Sequence, residues 1–214
     1  MKITRLYFIR HGESQANARD VFLGHTDLDL TEKGGEQAEK TANYLQTLNV
    51  DAIYASDLLR AYHTAKATAK RLGLTVTKDE RLREIYCGEW ENLPFSVLQE
   101  RYKESYGVWC NNIGLSQTDG GESVAQLQNR IVSVVKEIAE KNLGKTVLIF
   151  THATPVRCMA GYCKKLSLDT LKDVPWASNA SVTEVHYQDG EFSLVEYSKD
   201  DFLGELKTEL PDNV

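Results

Sequence analysis

Cysteine is scarce in this chain: four residues in 214, none in a CxxC pair. That is too few and too scattered for a disulfide framework or a thiolate metal site, so Cys87, Cys110, Cys158 and Cys163 read as free thiols. Long apolar runs are absent as well. The one near the start, Leu6 to Ile9, is too short for the core of a secretory leader, and nothing approaches the ~20 apolar residues of a membrane span. An excess of positive charge is also lacking. Twenty-five lysines and arginines against thirty-one acids leave −6, with a pI near 5.4, which argues against a nucleic-acid partner. It leaves room for a small positive pocket inside an acidic shell. Internal repeats, low-complexity tracts and Pro/Gly/Ser linkers do not occur. The expectation is a cytoplasmic protein with neither a membrane nor a nucleic acid as partner.

What is present is ordinary for a globular fold: 42% apolar and 26% charged residues. At roughly 150 residues per domain the length predicts one domain over 1–214 with an insertion. Such a chain buries roughly 70% of its unfolded surface and needs no covalent staple. Three apolar segments predict strands covered on both faces: Leu6–Ile9, Ala52–Ala55 and Val147–Phe150. Continuous rather than alternating hydrophobicity is what a parallel sheet between helices requires. Helical periodicity follows each segment: Thr31 to about Leu48, Ser56 to Gly73 with Ser56 as cap, and a helix opened by Thr154-Pro155 with proline at its first position. A further helix spans roughly Ser123 to Lys141. Val182–Tyr187 and Phe192–Tyr197 flank Asp189-Gly190, a strong hairpin signal, and the tail after Ser198 reads as an edge appendage or frayed. The fold class is α/β, a mostly parallel sheet sandwiched by helices. Residues 86–120, aromatic but without a long period, form a cap inserted over one end of the sheet.

The chemistry lies just past the strands. Ile9 is followed by Arg10-His11-Gly12-Glu13-Ser14, Ala55 by Ser56-Asp57-Leu58-Leu59-Arg60, and Phe150 by Thr151-His152-Ala153-Thr154-Pro155. Open parallel sheets bind ligands beyond the carboxyl ends of their strands. Two histidines and two arginines therefore converge there, beside helix N-termini that favour anions, and a phosphate is the implied occupant. A metal is not expected: a fixed cation adjoins His11, and no carboxylate or cysteine completes a ligand set.

Arg10-His11-Gly12-Glu13-Ser14 with Asn17 resembles the signature of the histidine phosphatase superfamily, in the branch that contains phosphoglycerate mutases and related phosphatases. Gly24-His25-Thr26-Asp27-Leu28-Asp29-Leu30-Thr31, Ala55 to Ala61 with Thr64-Ala65, Leu82-Arg83-Glu84-Ile85 with Gly88-Glu89-Trp90-Glu91, and Gly120-Gly121-Glu122-Ser123 resemble its further motifs in order, over roughly residues 3–197. One departure stands out. The family has two glycines after its second histidine, where this chain has Ala153 and Thr154, a change that is harmless if the backbone φ there is negative.

The resemblance implies roles. His11 is the nucleophile, kept neutral by its arginines, and becomes a phosphohistidine. Arg10 and Arg60 hold phosphoryl oxygens with planar donor forks, and His152 stabilises their charge. Glu84 is the general acid, with Glu89 and Glu91 as alternatives. Asn17, Gly24 and Ala153 join Arg10, Arg60 and His152 in binding substrate. Glu13 orders the arginines, His63 and His186 are surface groups, and His25 is open between substrate and structure. Of the aromatics in 86–109, most form core and one or two line the pocket.

The implied activity is hydrolysis of a small phosphorylated metabolite, a phosphate monoester, without metal or other cofactor. The alternatives are a cofactor-dependent phosphoglycerate mutase and a non-catalytic binder of phosphorylated ligands that regulates a partner. A mutase needs cations in its cap to hold a second phosphate. Residues 91–120 carry two bases (Arg101, Lys103) and four acids (Glu91, Glu100, Glu104, Asp119), a net −2. That suits an uncharged or aromatic leaving group. The sequence leaves the natural alcohol and a homodimer open.

Overall fold

The computed structural model describes residues 2–208. Among them a six-stranded sheet is built from β1 (Thr4–Arg10), β2 (Ala52–Ala55), β3 (Val76–Lys78), β4 (Thr146–Thr151), β5 (Val182–Gln188) and β6 (Glu191–Lys199). Its order is β3-β2-β4-β1-β5-β6. The first four strands in that order run parallel, and β5 and β6 add to the β1 edge antiparallel. The helices are α1 (Glu32–Leu45), α2 (Leu59–Leu72), α3 (Phe95–Arg101), α4 (Lys103–Asn111), α5 (Val124–Lys141) and α6 (Ala153–Cys163).

The central strands explain their own composition. Leu6, Phe8, Val147 and Ile149 pack on one face with α5 and α6, while Tyr7, Ile9, Leu148 and Phe150 pack on the other with α1 and α2. With both faces dry, no position in the run can be polar. Each fully buried leucine, isoleucine or phenylalanine contributes about 1.5–3 kcal/mol by leaving water. The hairpin closes at Asp189 and Gly190, both at positive φ (55° and 87°), the pairing of a tight type I′ turn.

Three helix ends depart from the sequence reading. The first helix stops at Leu45 rather than near Leu48, although Thr31 caps it as expected by accepting from the Gly34 N–H. The second starts at Leu59 rather than Ser56. Leu58 occupies the cap and, being a leucine, makes no side-chain bond there; the Ser56 hydroxyl lies ahead of the helix, between the Leu58 N–H and the buried His152. In the last helix Ala153 is the first helical residue and Pro155 the third. Proline is tolerated there because the first-turn N–H groups have no partner inside the helix.

The segment 86–120 contains α3, α4 and short 3-10 turns at Gly88–Trp90 and Ile113–Leu115. Trp90 and Trp109 are buried and meet the Phe22 ring nearly edge-on, at 5.3 and 4.9 Å between centroids. Tyr86 is an exception to the expected aromatic core and stands exposed. The chain after Ser198 is docked as far as it is described. Phe202 stacks on Tyr44 at 4.6 Å, and the Leu206 carbonyl accepts from Gln37 Nε2. The acidic end, residues 209–214, lies outside the described residues. Among the described residues no helix is long and apolar enough to cross a membrane.

Candidate active site

Register places the catalytic candidates. Arg10 pairs with Thr151 across β1 and β4, and Ala55 with Phe150 across β2 and β4. The residues that follow, His11, His152 and Ser56, therefore emerge side by side from three adjacent strand ends. The His11 and His152 rings meet edge to face, with centroids 5.1 Å apart. A pocket opens over His11, lined by Arg10, His11, Asn17, Arg60, Glu84 and Ala153, with Ser14, Thr154 and Asn179 beside them; His152 lies behind His11 and is not among the lining residues.

His11 is held by its whole neighbourhood. Its N–H donates to the Thr151 carbonyl at 3.0 Å, and its own carbonyl accepts from the Ala180 N–H and from Asn179 Nδ2, both at 3.1 Å. The side-chain Nδ1 lies 2.7 Å from the Gly12 carbonyl oxygen. A carbonyl can only accept, so Nδ1 carries the proton and Nε2 keeps its lone pair. Burial first, then the charges of Arg60 and Arg10, push this imidazole well below its ordinary pKa of 6.5. Gly12 has a steric reason: a Cβ there would collide with the Gly34 carbonyl, where α1 presses on the loop.

The two arginines are anchored on backbone oxygens. Arg10 donates to Ala177 O at 2.6 Å, and its buried Nε has no partner among the described residues. Burial lowers Arg10 to about 10, and burial also lowers Arg60; at neutral pH Arg10 keeps its charge. Arg60, 1% exposed, donates to Gly24 O at 2.7 Å and Thr26 O at 3.0 Å. The loop 24–26 is fixed in turn by Glu91, whose carboxylate accepts from the N–H groups of Gly24, His25 and Thr26 and from the Thr26 hydroxyl. Burial works to raise the Glu91 carboxyl, but these hydrogen bonds outweigh it and the net shift is downward.

Glu84 lines the same pocket. Its carboxylate accepts from the N–H of Ile85 at 2.8 Å and of Thr154, in the first turn of α6, at 3.3 Å. Neither Glu89 nor Glu91 lines the pocket; Glu89 is bound by the Tyr102 hydroxyl. His152, fully buried, pairs through Nε2 with Ser56 Oγ at 2.9 Å, while its Nδ1 has no partner among the described residues. Burial, with Arg60 and His11 adding to it, lowers its pKa well below 6.5. Ala153 and Thr154 have helical backbone and are absent from the positive-φ residues, so the two missing glycines cost no strain.

Several expected roles fall elsewhere. Gly24 does not line the pocket; its N–H serves Glu91 and its carbonyl serves Arg60. Glu13 orders no arginine: it accepts from the Thr31 hydroxyl at 2.9 Å and pairs with Lys33 at 3.3 Å, because its side chain runs along the start of α1. His63 is half-exposed and pairs with Asp29, and His186 pairs with Glu184. His25 turns its Nε2 to the Glu84 carbonyl at 2.9 Å. Asn17 uses Oδ1 to accept from Ser14 and Asn179, which leaves its Nδ2 as the group that can donate to a ligand.

Sequence reasoning missed Trp176 and Asn179. Both lie in an irregular stretch where the only signal is an aromatic next to a run of small polar residues. Trp176 lines the pocket, its ring held between Trp109 (6.2 Å, 29°) and the Arg157 guanidinium, 4.4 Å from the ring centre. Phe22, Leu23 and Phe95 extend this apolar wall. Among the described residues no three His, Cys, Asp or Glu side chains stand together as metal ligands would.

Comparison with known proteins agrees with this arrangement. The chain is 31% identical to phosphoserine phosphatase 1 of Hydrogenobacter thermophilus, over 97% of this chain and 98% of that one. The solved structure of Bacillus stearothermophilus YhfR superposes with a TM-score of 0.90 at 30% identity, covering 94% of this chain and 99% of that one. The mycobacterial glucosyl-3-phosphoglycerate phosphatase gives 0.84 at 26% identity, over 93% and 100%. Other curated relatives carry the names of phosphatases and of probable phosphoglycerate mutases. The profile of the histidine phosphatase superfamily (branch 1) matches residues 6–200. The chain belongs to that superfamily.

Proposed function

We propose that this protein is a phosphatase that hydrolyses small phosphate monoesters through a phosphohistidine on His11. The observation that carries this reading is the contact of His11 Nδ1 with the Gly12 carbonyl, which leaves the Nε2 lone pair free on an imidazole that burial and the charges of Arg60 and Arg10 keep neutral. A neutral imidazole beside fixed cations is a nucleophile aimed at an anion, and its attack divides one hard displacement into two easier ones. Nε2 bonds to phosphorus as the ester P–O bond breaks. Arg10 Nε, Arg60 and His152 Nδ1 supply donors for the equatorial oxygens, with Asn17 and the N-terminal turn of α6 at Ala153 beside them. If Ser56 Oγ accepts from the Leu58 N–H and donates to His152 Nε2, the ring proton of His152 sits on Nδ1, where the phosphoryl group needs it. Glu84 protonates the departing oxygen, then takes a proton from the water that cleaves the P–N bond.

The substrate's other end meets a different surface. Arg10 and Arg60 are the cations among the described lining residues, and both belong to the phosphoryl end. The remaining wall includes Phe22, Leu23, Phe95, Trp109 and Trp176, with Asp20 and Thr208 also lining it. A second phosphate there would be desolvated without a partner, at a cost of several kcal/mol. We read residues 86–120 as a cap on a single domain, and the leaving group as uncharged and apolar or aromatic. The protein is expected to work without metal and in the cytoplasm.

Product partitioning tests this. With 3-phosphoglycerate and 2,3-bisphosphoglycerate, little 2-phosphoglycerate should form, while phenyl phosphate should release inorganic phosphate and yield an acid-labile phosphoprotein on quenching. The label should vanish in His11→Ala. Isomerised product exceeding free phosphate by about tenfold, or about 1.4 kcal/mol in favour of the acceptor over water, would replace this reading with a mutase. No turnover of any monoester would leave a binding protein.

A further inference from the structure

The segment that carries Glu84 has no regular structure between the 3-10 turns at Glu80–Leu82 and Gly88–Trp90. Its carbonyls therefore need partners from elsewhere, and one side chain supplies two of them together with a carbonyl of the preceding turn. Arg130, on α5, donates to Arg81 O at 2.7 Å and Arg83 O at 3.0 Å through Nη1, and to Glu84 O at 3.1 Å through Nη2. The same guanidinium makes a two-pronged pair with Glu122, from Nε at 3.0 Å and from Nη2 at 2.7 Å. Glu122 closes the frame. Its N–H donates to Tyr86 O at 2.7 Å, and its carboxylate accepts from the Tyr86 N–H at 3.3 Å. Ser123 and Gln126 lock the start of α5 behind it in a reciprocal capping box.

We propose that the Glu122–Arg130 pair is a positioning device for the general acid, fixing the backbone at 81–86 so that the Glu84 carboxyl faces the leaving oxygen. This rests on the reading of Glu84 as the acid given above. Neither residue lines the reaction pocket, so neither touches substrate. Both are largely buried, with side chains 22% and 15% exposed. A buried ion pair contributes little net stability because desolvation offsets its attraction, whereas a planar donor fork holds geometry that a flexible ammonium cannot. Placement matters here because proton transfer requires approach to about 2.6–3.2 Å, and a misplaced acid forfeits part of a 10²–10⁴-fold contribution.

The experiment compares kcat/KM for phenyl phosphate, whose leaving group needs a proton, with that for 4-nitrophenyl phosphate, whose leaving group needs little help. Arg130→Gln should lose about tenfold more on the first than on the second, with inhibition by inorganic phosphate unchanged because the phosphoryl site is untouched. Arg130→Lys should fall between, and in a Glu84→Gln background Arg130→Gln should add no further selectivity. Glu84→Gln alone serves as the reference. If it is selective and Arg130→Gln lowers both substrates equally or not at all, the positioning role is overturned while Glu84 stands as the acid. If Glu84→Gln shows no selectivity, the acid assignment and the positioning role fall together. Should Arg130→Gln fail to fold, Glu122→Gln is read in the same assay, where an equal loss on both substrates likewise overturns the proposal.

Discussion

Lowering the pH should weaken this fold through two histidines of the candidate site. His11 and His152 are buried, 5% and 0% exposed, and their pKa values lie well below the ordinary 6.5 because burial and the neighbouring arginines disfavour a further charge. In the unfolded chain both titrate normally. Below pH 6.5 the unfolded state binds protons that the folded state refuses, so stability is present above that value and is lost as pH falls through it. With both imidazoles neutral in the fold down to pH 5.5, moving from pH 7.5 to 5.5 costs about 1.4 kcal/mol for each, or about 2.7 kcal/mol together. That is a large share of the roughly 5–15 kcal/mol that holds a typical domain. Urea unfolding at the two pH values, in buffers free of phosphate, measures it. Replacing His11 and His152 together by Gln removes both groups, so the pH dependence should flatten by about 2.7 kcal/mol, and each single variant should remove about half. A double variant with the same pH dependence as the parent would refute the account of two imidazoles held neutral by their surroundings.

Trp176→Ala removes the ring that Arg157 and Trp109 hold against the pocket. An aromatic contact contributes about 0.5–1.5 kcal/mol, so KM for phenyl phosphate should rise about two- to tenfold while inhibition by inorganic phosphate stays put; steady-state kinetics reads both. Ala153→Gly puts a glycine in the first turn of α6. Because the position is helical, the change should leave phosphate inhibition unaltered and lower the denaturation midpoint, by roughly 0.5–1 kcal/mol of stability.

The three central strands were legible because both their faces are buried, which forces unbroken apolar runs, and the residues just past them were legible as chemistry. The edge strand Val76–Lys78 was not. It is three residues long, with Thr77 and Lys78 exposed, and too short for any period to register. The start of α2 was misplaced because Ser56 has the chemistry of a cap, but its hydroxyl holds the Leu58 N–H ahead of the helix and also meets a partner 96 positions away. Trp176 and Asn179 gave no sign of lining the pocket because nothing local dictates their place. Arg130 was invisible for the opposite reason: on a regular amphipathic helix, an arginine on the polar side looks like solvation.

The support of Arg60 has a bearing on how such an enzyme can be redesigned. Its guanidinium rests on two carbonyls of the loop 24–26, and all three N–H groups of that loop are held by one carboxylate, Glu91, just ahead of the segment that supplies part of the pocket wall. The apolar surface facing the leaving group comes in part from that segment, through Phe95 and Trp109. Grafting a foreign stretch between Leu93 and Gln117 would thus exchange those two side chains while leaving the tether on the native side of the junction. A transplant that also took Glu91 would remove the carboxylate that holds this loop and loosen the seat of Arg60, so that a change of wall could no longer be told from a change at the arginine.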